Sequence, residues 1–209
     1  MFDAITNWDL SVLHFMQDHV RTDWLDPIMK VITHMGGGGG ILWILLGIGL
    51  SIPKKTRGFG ICAFAALTIS FLINNVMLKS IAGRVRPYVF DPSIICIVSP
   101  APDSSFPSGH TAAAVSTCLG LAIATWKKWP KWTAFAMVAF ALLIGFSRVY
   151  ICVHYPSDVL TAVVTASLSA VAAFFICRAA EKKIAEKTGK TELMLSRPLP
   201  VAQPAENAE

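Results

Sequence analysis

"FPSGHTAAAVSTCLGLAIATW", residues 106–126, begins with proline, serine, glycine and histidine and then runs on in alanine, valine and leucine. From Ser108 to Trp126 it holds no Asp, Glu, Lys or Arg. About 20 such residues in a helix cross the ~30 Å hydrocarbon layer of a bilayer. The run therefore reads as a membrane span with an ionisable side chain, His110, at its mouth. An ionisable group at membrane depth is costly, and it points to function.

Four more runs have the same character. Residues 31–53, 58–78, 132–147 and 159–177 contain none of the four charged residue types. The short run at 132–147 is expected to extend at both ends, through Trp129 and past Arg148. Composition agrees: of 209 residues 54% are hydrophobic and 15% charged, with a mean hydropathy of +0.57. A water-soluble domain of this size needs more polar surface. The expected fold is an all-α, polytopic membrane bundle of five spanning helices plus an N-terminal amphipathic helix.

That N-terminal helix is read from Phe2, Ile5, Trp8, Val12, Leu13 and Met16 at helical spacing, with Asp3, Asn7, Ser11 and Asp18 between them. It does not resemble a signal peptide: no Lys or Arg precedes Arg21, and Asp3, Asp9 and Asp18 interrupt it. Residues 1–187 read as one domain without repeats or linkers. Residues 188–209 are polar, proline-containing and aperiodic, and are expected to form a disordered tail.

The basic residues orient the bundle. Lys54, Lys55, Arg57, Lys127, Lys128, Lys131, Arg178, Lys182, Lys183, Lys187, Lys190 and Arg197 fall on one side, twelve of the eighteen. By the positive-inside rule that side is cytoplasmic. The N-terminal segment, the 79–107 loop and the 147–158 turn then face outward, across the cytoplasmic membrane. The net charge of +5 becomes a topology signal, and nucleic acid is not an expected partner.

Cysteines 62, 96, 118, 152 and 177 show no zinc spacing. Cys96 and Cys152 both fall on the outer side, where an oxidising compartment permits a bridge, but free thiols are the favoured reading. "GGGGG" at 36–40 lies inside the first run and is read as a close helix contact or a locally weakened helix. The outer loop from Gly83 to Phe106 carries Pro87, Pro92, Pro100 and Pro102 without periodicity. A connection this long is functional or disordered.

Three constellations gather on the outer side. "KSIAGRVRP" (79–87) leaves Lys79 and Arg86 at the end of the second run. Interfacial snorkelling explains cations there, but the guanidinium fork of Arg86, held by Pro87, is also suited to phosphate. Pro107-Ser108-Gly109-His110 opens the third run: Ser108 is a good N-cap, and Gly109 lets an anion approach the helix N-terminus. "SRVYICVHYPSD" (147–158) sets Arg148, His154 and Asp158 in order. Pro156 fits the first turn of a helix, from which Asp158 reaches back to one nitrogen of His154 and frees the other. A favourable dipole interaction explains Asp158 alone; it leaves His154 and Arg148 unexplained.

These stretches resemble, in order, the three signatures of the type-2 phosphatidic acid phosphatase superfamily: KxxxxxxRP at 79–87, PSGH at 107–110 and SRxxxxxHxxxD at 147–158, every position filled over about 80 residues. The resemblance implies a six-helix membrane lipid phosphatase that works through a phosphohistidine, with no metal or other cofactor. It makes His154 the nucleophile, Asp158 its orienting partner and His110 the general acid. Lys79, Arg86, Ser108, Gly109 and Arg148 would hold the phosphate. The residues themselves fit these roles. Phosphoryl transfer is catalysed mainly by positioning and electrostatics, and three cations with a helix N-terminus supply that charge.

The expected substrate is a lipid phosphate, undecaprenyl pyrophosphate first, with phosphatidylglycerophosphate or phosphatidic acid as the alternative. The related vanadate haloperoxidases are large and soluble, which five spans oppose. A small transporter would need ionisable groups along a path through the bilayer, whereas mid-span positions are apolar except Asn74 and Asn75.

Overall fold

The computed structural model describes residues 2–37, 40–188 and Leu195. Among them every regular element is helical. α1 (Phe2–Phe15) continues into a π-helical turn, Met16–Val20, and is followed by α2 (Leu25–Met35) and α3 (Ile41–Ser51). α4 (Arg57–Phe71) runs on through a π-helical stretch, Leu72–Leu78, into α5 (Lys79–Ala82). A short α6 (Pro87–Phe90) lies in the long outer loop, and α7 (Gly109–Thr125), α8 (Lys131–Tyr150) and α9 (Pro156–Thr188) complete the bundle.

Glycine and proline set the boundaries. Gly83 ends α5 in the left-handed region at φ 56°, where a side chain is strained. Pro87 and Pro156 occupy first helical positions, where a missing N–H costs nothing. Pro130 stands just before α8.

α7 is the axis of the bundle and packs against α4, α8 and α9. Its buried face is made of Ala112, Ala114, Cys118, Gly120, Ala122 and similar small residues. Small faces let backbones approach in lipid, where apolar burial gives helices no net drive to associate. A Cβ on Gly120 would stand 3.1 Å from Cβ of Ala66. The outer surface is apolar instead: Leu45, Phe135 and Leu168 are each more than 60% exposed. This inversion suits a lipid solvent. The helices long and apolar enough to cross a membrane are Arg57–Phe90, Lys131–Tyr150 and Pro156–Thr188; α3 and α7 are shorter apolar helices.

The first run departs from the expectation of one continuous span. α2 ends at Met35 and α3 begins at Ile41, with Gly40 at φ 83°. Gly36, just past the end of α2, and Gly40, just before α3, border a cavity, the setting in which irregular backbone is tolerated at membrane depth. α1 also differs in the face it buries. Ile5 and Trp8 are nearly half exposed, while Leu13 and Asp9 are fully buried. The expected tail lies outside the described residues, apart from Thr188, which closes α9, and Leu195, which packs on Phe59 and Leu121. All five cysteines are free thiols, Cys96 and Cys152 included.

Candidate active site

The opening of α7, the end of α8 and the start of α9 meet at one end of the bundle. Ser108 caps α7: its hydroxyl accepts from the Thr111 N–H and pairs with the Thr111 hydroxyl at 2.9 Å. Its own N–H donates to the carbonyl of Asp158 at 3.3 Å, so the two helix starts are tied together. The cap leaves His110 on the first turn, facing the cavity. Gly36 and Gly37 pack against its ring, and a Cβ on Gly37 would lie 3.2 Å from Nε2.

His154 sits between α8 and α9, only 2% exposed. Its Nδ1 faces Oδ2 of Asp158 at 3.4 Å. Nε2 lies 3.5 Å from Nη1 of Arg86. Burial pushes the imidazole down to about 4, and Asp158 offsets that only in part. The ring is therefore neutral at pH 7, with a lone pair available on Nε2 when Nδ1 carries the proton.

Three cations line the same cavity. Arg86 is pinned by its Nε to the carbonyl of Asp103 (2.9 Å) and by Nη1 to the carbonyl of Val153 (2.9 Å). Arg148 donates through Nη1 to the Thr33 hydroxyl at 2.6 Å, while its buried Nε has no protein partner. Lys79 pairs with Oδ2 of Asp103, and Arg86 with Oδ1, both at 2.5 Å. Partial burial would raise the Asp103 carboxyl, but Lys79 and Arg86 hold it down at about 2. A depressed carboxylate is lost only as pH falls through that value, so Asp103 stays charged across the neutral range.

A cavity of about 520 Å³ joins these groups. Lys79, Arg86, Gly109, His110, Arg148 and His154 line it, together with Asn75, Phe71, Leu67 and Phe64. Those last four step back from Lys79 through the π-helical stretch and along α4, so the lining follows these segments for about 20 Å. It passes from cations and imidazoles to an apolar groove completed by Ile44 and Ala113. A second cavity of about 530 Å³, against Trp126, Lys127 and Leu195, is remote from the histidines.

Of the eight residues singled out in the sequence, six line the first cavity. Ser108 and Asp158 stand behind it, the one capping α7 and the other facing His154. Three side chains were not anticipated: Asp103, and the Arg84–Asp9 pair that reaches Asp158 from behind. Asp103 lies in an aperiodic loop, and Asp9 is 75 residues from Arg84 and 148 from Ser157, so neither had a local signal. Arg84 was visible only as one more cation in "GRVRP".

A family model described as the PAP2 superfamily matches residues 59–183. The undecaprenyl-diphosphatase of Bacillus subtilis (strain 168) is 35% identical over 161 residues, 75% of this chain and 76% of that protein. Phosphatidylglycerophosphatase B of the same organism is 32% identical over 149 residues, 68% of this chain and 70% of that one. Among solved structures, the transmembrane PAP2-type phosphatidylglycerolphosphate phosphatase from Bacillus subtilis superposes with a TM-score of 0.68 at 28% identity, covering 87% of this chain and 88% of the other.

Proposed function

The chain belongs to the PAP2 superfamily and is a membrane lipid phosphatase; from that premise we propose that it hydrolyses undecaprenyl pyrophosphate through a phosphohistidine. The observation that carries this reading is the cavity, which joins a cradle for phosphate to an apolar groove lined by Phe71, Leu67, Phe64 and Ile44. A lipid tail fits the groove while its head meets the two histidines.

In the proposed reaction, the terminal phosphate sits among Lys79, Arg86 and Arg148, with the start of α7 at Ser108 and Gly109 behind it. Nε2 of His154 attacks phosphorus as the bond to the leaving oxygen breaks, and His110 gives that oxygen a proton. Asp158 holds the Nδ1 proton and stabilises the charge formed on the ring. Water then gives a proton to His110 and attacks phosphorus, which breaks the P–N bond and frees phosphate. The cations compensate the charge on the equatorial oxygens, so the reaction is proposed to proceed without a metal.

Purified protein in detergent should release phosphate from undecaprenyl pyrophosphate with excess EDTA present, and vanadate should inhibit. Loss of activity in EDTA, restored by magnesium, would contradict the charge assignment. A higher kcat/KM on phosphatidylglycerophosphate would move the substrate to the glycerolipids, which the second relative favours. Release from no lipid phosphate would sink the reading altogether.

We further propose five crossings: α2 and α3 as a broken first span, then α4, α7, α8 and α9, with α1 at the interface and the cavity mouth outside the cytoplasmic membrane. The support is the twelve-to-six split of basic residues. Ser99 is exposed in the outer loop. A Ser99→Cys, Cys96→Ser variant should react with an impermeant thiol reagent on intact cells. Reaction only after permeabilisation would reverse the orientation.

A further inference from the structure

Asp9 is fully buried although neighbouring Trp8 is half exposed. A buried carboxylate is retained only where its charge is paired and its oxygens are hydrogen-bonded. Here Oδ1 accepts the Ser157 N–H at 2.9 Å and Oδ2 accepts the Ser157 hydroxyl at 2.5 Å. Oδ2 also accepts Nη2 of Arg84 at 2.8 Å. Arg84 bridges onward: its Nη1 donates to Oδ1 of Asp158 at 2.7 Å and to the Ser157 hydroxyl at 2.8 Å. Its guanidinium lies 3.7 Å over the Tyr155 ring. The other Asp158 oxygen accepts the Tyr155 N–H at 3.1 Å and faces His154. Neither Asp9 nor Arg84 lines the cavity.

We propose that Arg84 and Asp9 are positioning residues for His154: Arg84 fixes the plane of Asp158 so that Oδ2 is presented to Nδ1, and Asp9 fixes Arg84. The N-terminal helix is then part of the catalytic apparatus. The inference rests on the reading of His154 as nucleophile. A carboxylate orients an imidazole only if it is itself held, and here the second oxygen of Asp158 accepts one arm of a planar fork whose other arm is held by Asp9.

The arrangement has an electrostatic signature. His154 is faced by Asp158 from α9, Arg86 from the outer loop, Arg148 from α8 and His110 from α7. Lys79 and Asp103 lie beyond Arg86. Behind Asp158, the positive charge of Arg84 offsets part of the carboxylate as His154 experiences it. Without Arg84, Asp158 holds a proton on His154 more strongly, so the neutral nucleophile forms at higher pH. Without the charge of Asp9, Arg84 acts more fully on Asp158, and the neutral nucleophile forms at lower pH. A pair that merely ties α1 to α9 moves neither.

The test uses the full chain and a nitrophenyl phosphate, whose leaving group needs no proton, so that the acid limb of kcat/KM reports His154. Arg84→Gln should lower kcat roughly 10- to 100-fold, in the range for partners that orient a histidine. Its KM should stay within about twofold, and its acid limb should move to higher pH. Asp9→Asn should lose less and move the limb to lower pH. Arg84→Lys keeps the charge without the fork; it should lose kcat with the limb near its original place. Thermal unfolding in detergent gives the folded fraction, and if Arg84→Gln does not fold, Arg84→Lys and Asp9→Asn carry the test. Unmoved limbs, or losses that follow only the folded fraction, overturn the proposal. If His154→Ala keeps turnover, the parent reading fails instead, whatever these variants do.

Discussion

His154→Ala is expected to abolish phosphate release from every substrate, lipid or nitrophenyl, and to leave no acid-labile phosphoenzyme. The reason is geometric. Nε2 faces Arg86, Nδ1 faces Asp158, and the residue lines the cavity. In the proposed scheme this nitrogen forms the bond to phosphorus, so no leaving group is good enough to bypass it. A loss of at least ~10⁴-fold is the scale for removing a member of a nucleophile–base–carboxylate set.

Proton linkage gives this histidine a second measurable property. Its ordinary value is 6.5, and burial brings it to about 4 in the fold. The unfolded chain therefore takes up a proton that the folded chain resists. Stability from this residue is present above about 6.5 and declines as pH falls toward 4. His154→Gln is neutral and close to the imidazole in volume, and it should flatten that part of the stability profile while remaining inactive. A variant that kept turnover on nitrophenyl phosphate, with an acid-labile phosphoenzyme, would remove His154 from the chemistry.

Much of this architecture was written in local pattern, and what was missed was not. Uncharged runs such as 108–126 announce helices because lipid forces every backbone group to be satisfied within its own segment. The gathering of Ser108-Gly109-His110 and Arg148-His154-Asp158 at one end of the bundle was legible for a related reason: ionisable groups at the ends of such runs have few structural excuses. The helix start at Pro156 brought Asp158 to His154 as the four-residue spacing implied.

The break at Gly36–Gly40 was harder. Five glycines in an apolar run are compatible with close packing of a continuous helix, and only the structure shows that a Cβ at Gly37 would stand 3.2 Å from both Nε2 of His110 and the His34 carbonyl oxygen. Asp9 was harder still, because it lies in a helix whose apolar spacing suggested a different buried face. Its partners, Arg84 and Ser157, are 75 and 148 residues away. Asp103 belongs to the same class: it meets Lys79 and Arg86 through an aperiodic loop. Long-range polar contacts leave no periodic trace, and in this molecule they surround the site.

His110→Ala should behave differently from His154→Ala, and the difference should depend on the leaving group. His110 lines the cavity from the first turn of α7, with Gly36 and Gly37 closing the other side of its ring. Its proposed task is to protonate the departing oxygen. A lipid monophosphate expels an alkoxide, a strong base that leaves poorly without a proton, so the loss there should be roughly the 10²–10⁴-fold typical of a general acid. A lipid diphosphate expels a phosphate ester, a weaker base, and should suffer less. Nitrophenyl phosphate expels a stabilised phenolate and should suffer least. Gly37→Ala offers an independent check, since its added carbon would sit 3.2 Å from Nε2 and crowd the proton donor. It should reproduce the same order of substrates with smaller losses. Equal losses on all three substrates would make His110 a phosphate ligand, because binding the transferred group does not depend on what leaves it. Retained nitrophenyl activity in His154→Ala, with none in His110→Ala, would reverse the two roles.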